Sequence, residues 1–264
     1  MPGMRHHGRI LVQLVSASFK QQLSYRTSFL IVVIAKYLRV AIYFILFESI
    51  LVTTDVLGGF SRDYVLIHFF TDFVLFLFVS TTFERNLVFG LSKLVQRGDL
   101  DGLLTKPLNP LFHVAFYKGD FYDFITLGPL FVALAYLVFR VEPTLEQGLL
   151  FLGGVMVALL FILGVSTIFS SFTFRTIENR GAGRVLHAIF RSAQFPSTAF
   201  GPWWGTLFLF VIPTGFVATL PTGLLSGLFH IGHLAYGVIF TISLCVIGIW
   251  RWNRSLRRYS SASS

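Results

Sequence analysis

Charge is what this sequence has little of: 12% of its residues are Asp, Glu, Lys or Arg, against roughly 25% in an average soluble domain. With 55% hydrophobic residues, that shortage excludes a soluble globular chain. Cysteine is nearly absent. Cys245 is alone, so disulfides have no part in the fold and thiol chemistry has no second sulfur to work with. No G-x-x-x-x-G-K-[ST] stretch occurs, so the chain has no phosphate-cradling loop and does not hydrolyse ATP by itself. A serine elbow is missing too, and no histidine and acid are arranged with a serine in readable order, which argues against a hydrolase. No repeat of period about 20 to 50 residues is visible, nor an inverted duplication of the kind many secondary transporters carry.

What is present is apolar sequence in long runs, at 27–51, 64–82, 121–139, 148–172, 202–220 and 228–250. Each is close to the ~20 residues a helix needs to cross a bilayer. Little is left for a soluble domain, because the longer polar intervals are residues 1–26, 83–119 and 173–201. The reading is a single all-α membrane domain over 1–264 with six transmembrane helices. The first run starts too late and is too long for a cleaved signal peptide, so it is expected to stay.

The net charge of +9 raises the question of nucleic acid, and its placement answers it. With the N-terminus inside, Arg5, Arg9, Lys20 and Arg26, then Arg85, Lys93, Arg97, Lys106 and Lys118, then Arg175, Arg180, Arg184 and Arg191, and finally Arg251, Arg254, Arg257 and Arg258 are cytoplasmic. The outer side keeps only Arg62 and Arg140. Such asymmetry is the positive-inside rule at work. The basic balance reports topology, and no nucleic-acid partner is expected.

Residues 8–24, "GRILVQLVSASFKQQLS", set Val12, Val15, Phe19 and Leu23 on one helical stripe opposite Gln13, Ser16 and Lys20, the pattern of a helix lying in the lipid surface. The first span holds Lys36 and Arg39 on one face. Its apolar residues contribute about −6 kcal/mol on the insertion scale, while two central cations cost about +5 to +7 kcal/mol. The span therefore needs an acidic partner. Asp72 sits about 12 Å below the outer end of the second span and Arg39 about 18 Å above the inner end of the first. In a core about 30 Å thick these depths coincide, which predicts an ion pair from Asp72 to Arg39 or Lys36.

His230 and His233 share a helix face near the outer end of the last span, but a pair without a third ligand is a poor metal site, and anchoring or packing is expected. Trp203, Trp204, Trp250 and Trp252 stand at span ends as interfacial anchors. The fifth run is interrupted by Pro213, with Gly215 beyond it and Pro221 at its end, so the segment 202–227 either kinks as it crosses or dips in and returns. In the second case residues 183–200 must supply the crossing and bring Arg191 with them.

Between the second and third runs lies "QRGDLDGLLTKPLNPLF" (96–112). The stretch before it, "ERNLVFGLSKLVQRG", is expected to be helical, with Leu87, Leu91 and Leu94 on one side and Gly98 as its stop. A second helix restarts with Asp99 as cap and Asp101 in its first turn, presents Leu100, Leu103 and Leu104 as a small apolar face, and ends at Pro107 and Pro110. Connections in bundles need only about 2 to 8 residues. A cytoplasmic connection this long, with a leucine face, suits docking to a partner groove or to lipid, and the pattern alone does not choose between them.

The order of "SYRTSF" (24–29), "GGFSRDYVLIHF" (58–69), "RGDLDGLLTKPLNPLF" (97–112), "FVIPTGFVATLPTGLL" (210–225) and "WNRSLRRYSSAS" (252–263) resembles the membrane subunits of ABC-2 type transporters, in the viologen-exporter-like group. The resemblance implies a type V exporter-like permease fold of six spans with both termini cytoplasmic, in the bacterial inner membrane. It further implies a separate ABC ATP-binding subunit that holds ATP and Mg²⁺, this chain binding no cofactor, and a second ABC-2 permease, a heterodimer being expected and a homodimer the alternative. Asp99, Leu100, Asp101, Leu103, Leu104 and Pro107 would then form the coupling segment on that ATPase. Pro213, Gly215 and Pro221 would belong to a re-entrant, outward-side segment. The function implied is ATP-driven export, the chain itself not being an enzyme. An ion-coupled secondary transporter using Asp72 is the rival reading.

Overall fold

Nearly every residue of the chain that is given a structure is helical, as a hydrocarbon solvent demands of a backbone that must satisfy its own hydrogen bonds. The computed structural model describes residues 26–117, 121–174, 180–212 and 214–259. The expected surface helix at 8–24, Lys118 and Pro213 fall outside the described residues.

Helix α1 (Arg26–Thr53) leads into a small hairpin, β1 (Val56–Leu57) and β2 (Phe60–Ser61). Its two turn residues, Gly58 and Gly59, have φ of 62° and 87°, the doubly positive turn whose twist matches paired strands. A β-carbon on Gly58 would lie 2.6 Å from the Ala199 nitrogen, so this turn also has to be glycine to admit another segment.

Helix α2 (Arg62–Val79) does not stop where its apolar run stops. It passes through two wide π turns, Ser80–Glu84 and Asn86–Gly90, into α3 (Leu91–Arg97), and the junction residues Arg85 and Leu91 keep helical dihedrals. The result is one rod from Arg62 to Arg97, about 54 Å long at 1.5 Å per residue. Gly98 ends it in the left-handed conformation at φ 73°, as the sequence predicts. Helix α4 (Asp99–Leu104) follows immediately; Asp99 lies in its first turn and does not cap it, since Gly98 holds that position. Pro110 was expected to help end this helix. Instead it opens α5 (Pro110–Ala115), where Asn109 Oδ1 accepts from the Phe112 N–H at 3.2 Å. Proline suits the first helical position because its missing donor would have been unsatisfied there anyway.

Helices α6 (Phe121–Arg140), α7 (Leu145–Thr173) and α11 (Ile231–Leu256) complete the long elements. A capping box between Thr144 and Gln147 starts α7, satisfying two orphan donors reciprocally. His230 caps α11, its Nδ1 accepting from Gly232 at 3.0 Å while its own N–H donates to His233 Nδ1 at 3.4 Å. Among the described residues five helices are long and apolar enough to cross a membrane: Leu30–Thr53, Arg62–Glu84, Asp123–Arg140, Leu145–Thr173 and Ile231–Leu256.

The fifth apolar run, 202–220, is not among them. It is broken into α9 (Pro202–Thr206), a π turn at Leu207–Val211, a short turn at Thr214–Phe216 and α10 (Thr219–Ser226). The segment goes down and comes back. The Phe216 ring packs on Phe161 and Phe240, and Phe240 lies about 14 Å along α11 from its first residue; α10 then returns the chain to Gly227 and the start of α11. The run before it, α8 (Arg180–Ser192) and the turn Ser197–Phe200, connects the two ends of the bundle: a β-carbon on Gly183 would meet Phe89, whereas Ala199 meets the hairpin turn.

The tightest packing joins α7 and α11, with α10 beside them. β-Carbons on Gly164 and Gly248 would lie 3.1 Å from Cys245 N and from Gly164 O respectively. Small residues let two helix backbones approach where lipid supplies no hydrophobic drive for association.

Candidate functional site

Three charged residues expected inside the spans, Lys36, Arg39 and Asp72, do come together. They line one cavity of about 320 Å³ between α1, α2, α6 and α8. The pairing differs from expectation. Lys36 forms its ion pair with Asp123, which is 3% exposed, and not with Asp72. Depths along the helix axes are those of α-carbons, whereas the long lysine stem lets its ammonium meet an acid at another depth, here in the first turn of α6. Arg39 lies over the Phe73 and Phe76 rings, its guanidinium carbon 5.4 and 5.3 Å from their centroids, a cation–π arrangement. Asp72 is 4% exposed, and no hydrogen bond or ion pair closes on it among the described residues.

Three further residues enter this cavity without having been singled out as site residues. Glu84, 3% exposed, stands in the first π turn with its Oε1 2.9 Å from His187 Nε2, the ring being turned so that no aligned hydrogen bond forms. Arg191 follows one turn later on α8. A π turn displaces side chains from the ordinary helical register and is frequent where a helix carries function; here both flank the floor of the cavity.

The segment leaving this floor carries a correction. Leu100 and Leu103 are 0% and 5% exposed and belong to the same hydrophobic cluster as Leu87, Leu91, Val114 and Trp252, with Leu104 partly buried against it. The leucine face expected to receive a partner is covered by the protein's own helices. Asn86 adds a polar tie, its Nδ2 donating to the Ala115 carbonyl at 2.8 Å. What remains outward is a polar rim, Asp99, Gly102, Thr105, Lys106 and Pro107, with Asp101 half-buried.

Gly215 and Pro221 lie in the returning segment and are buried. A β-carbon on Gly215 would come within 2.9 Å of Ser197 Oγ, and one on Gly154 within 2.7 Å of Pro221 Cα. Thr219 fastens this segment: its Oγ1 accepts from the Ser197 N–H at 3.0 Å and lies 3.2 Å from His68 Nε2 on α2. Among the described residues no group of three or more His, Cys, Asp or Glu is placed to hold a metal ion, and the His230–His233 pair is spent on capping.

Long apolar helices around a charged interior define a multi-pass membrane protein. Residues 37–263 match the model of a family described as ABC-2 family transporter protein, and the chain belongs to that family. Its members are membrane transport subunits, not catalytic by themselves, and membership implies an ABC ATP-binding partner in general. Compared with curated proteins and with solved structures, the chain matches none.

Proposed function

We propose that this chain is the permease subunit of an ATP-driven exporter of the viologen-exporter-like group, one half of a dimeric membrane domain in the bacterial inner membrane. The other half is a second, related permease or a second copy, and ATP and Mg²⁺ are held by a separate subunit. In this reading α8 with residues 193–200 is the fifth of six crossings, both termini are cytoplasmic, and 202–227 is re-entrant from the outer side. The observation that carries it is the unbroken rod from Arg62 to Arg97. It joins a charged cavity within the apolar bundle to the polar rim around Lys106, so movement of the rim is movement of the cavity wall.

The revised rim decides which substitutions test coupling. Asp99→Lys with Lys106→Glu changes outward side chains and leaves the leucine cluster whole. The double variant is expected to insert and purify normally while the ATPase activity of the complex falls at least about tenfold, as loss of a central contact does at interfaces. Leu103→Asp is expected to destabilise the segment itself by about 3 kcal/mol through a buried charge, and so reports folding. Full ATPase activity in the rim variant would sink the coupling assignment. Transport driven by a proton gradient without ATP would instead support the ion-coupled reading.

A further inference from the structure

Within one cavity the protein treats two pairs of opposite charges differently. Lys36 and Asp123 close on each other. Arg39 and Asp72 face the same cavity, and among the described residues no ion pair or hydrogen bond forms between them or from either to a third group. The neighbouring pair shows that contact is attainable in this setting. Leaving an acid that is 4% exposed opposite an arginine without contact forgoes the compensation that buried charges need.

We infer that the open pair is the reading head for cargo, and that the cargo group it admits is zwitterionic: an anionic centre against Arg39 and a cationic centre against Asp72. This rests on the permease reading above. A cargo of one sign is disfavoured by the geometry itself. Beside this pair a lone cation meets Arg39 as a like charge and a lone anion meets Asp72, the repulsive half of specificity, and the rest of the lining is likewise of both signs, with Glu84, Arg85 and Arg191 on it. Phe73 and Phe76 supply flat apolar walls beside both charges. A volume of about 320 Å³ is at the small end of ligand pockets and fits a head group or a small soluble zwitterion. The two sources share one recognition chemistry.

The test uses the transporter with its partner subunits in phosphatidylglycerol nanodiscs and four probes: hexylphosphocholine, hexyltrimethylammonium, hexyl phosphate and free phosphocholine. Hexylphosphocholine is expected to bind at least about tenfold more tightly than either single-signed hexyl probe, equivalent to about 1.4 kcal/mol. Asp72→Asn should remove this preference and spare hexyl phosphate; Arg39→Gln should remove it and spare hexyltrimethylammonium; Asp72→Glu, which keeps the charge, should retain most of it. Comparable binding of free phosphocholine identifies a soluble zwitterion, and binding only of the alkylated probe a membrane amphiphile. The inference is overturned if hexyltrimethylammonium binds as tightly as the zwitterion and ignores Arg39→Gln, or if the variants leave all four affinities unchanged. ATP hydrolysis stimulated only by a single-signed probe defeats the cargo assignment and keeps the permease reading. Zwitterion preference in a complex that hydrolyses no ATP does the reverse.

Discussion

The seam between α7 and α11 and the cavity between α1, α2, α6 and α8 are two ways of building a helix bundle in lipid. The seam joins backbones through glycine: Gly153, Gly164, Gly237 and Gly248 each sit where a β-carbon would be crowded at 3.1 Å or less by the facing helix. The cavity side is held by charge and rings, and α1, its outer wall, is covered over only 11% of its most apolar window. Close backbone contact fixes one arrangement, because packed surfaces do not deform continuously. A wall held by an ion pair and aromatic edges can shift without vacating a core. The difference assigns stability to the seam and movement to the cavity.

The largest effect that would break this division comes from enlarging a glycine of the seam, with an exposed glycine as the control. Gly164→Leu brings its β-carbon to 3.1 Å from the Cys245 nitrogen of the facing backbone, where no side chain can turn aside, and the expected loss is about 3 kcal/mol. Gly128, on the exposed face of α6 and outside the cavity lining, has nothing within 4 Å of an added β-carbon, and Gly128→Leu, the control, is expected to change stability by less than about 0.5 kcal/mol. Thermal unfolding of both variants in the same detergent measures the contrast. Equal losses would mean that close approach of the α7 and α11 backbones is not what fixes the seam.

A smaller effect sharpens the comparison within the cavity. Lys36→Ala strands Asp123, and because the lysine is 23% exposed the cost is discounted from the fully buried case to about 2 kcal/mol. Asp72→Asn removes a buried charge that has no closed partner, and stability should hold or rise. Denaturation midpoints of the two variants test this directly; a loss for Asp72→Asn as large as that for Lys36→Ala would show that Asp72 is a structural partner after all.

Much of this arrangement was legible in the chain, and the failures share a cause. The apolar runs give the long helices because hydrophobic length is set by the bilayer, and Gly98 marks a helix end because only the left-handed conformation fits there. Leu100 and Leu103 are legible as an apolar face, but periodicity says that a face is covered and not by what; the cover is the cluster they share with α3 and α5, Leu91 and Val114 among it. Glu84 and His187 stand far apart in sequence and meet only through the packing of α8 on the rod. On local grounds the proline-broken fifth run allows either a kink or a return, and the close approach of Pro221 to Gly154 is a tertiary contact that local sequence does not encode. One further signal is local: Asn109 followed by Pro110 is a cap and a first helical residue.

The smallest expected effect tests whether the segment beyond the rod can soften while the seam stays fixed. His113, on α5, is 3% exposed; burial, and after it the Lys106 charge, push its pKa below 6.5, against the pull of a hydrogen bond to the Leu103 backbone. A histidine held neutral in the folded protein binds a proton more readily once unfolded. The stability it allows is therefore present above about 6.5, the ordinary histidine value, and declines as pH falls below it. Hydrogen exchange over residues 99–115, corrected for the intrinsic pH dependence of amide exchange, should quicken between neutral pH and pH about 5.5 while α7 and α11 keep their protection. His113→Gln should flatten that dependence. If the variant softens with acid as the wild type does, the response lies elsewhere; if α7 and α11 loosen in step, the seam and residues 99–115 unfold as one cooperative unit.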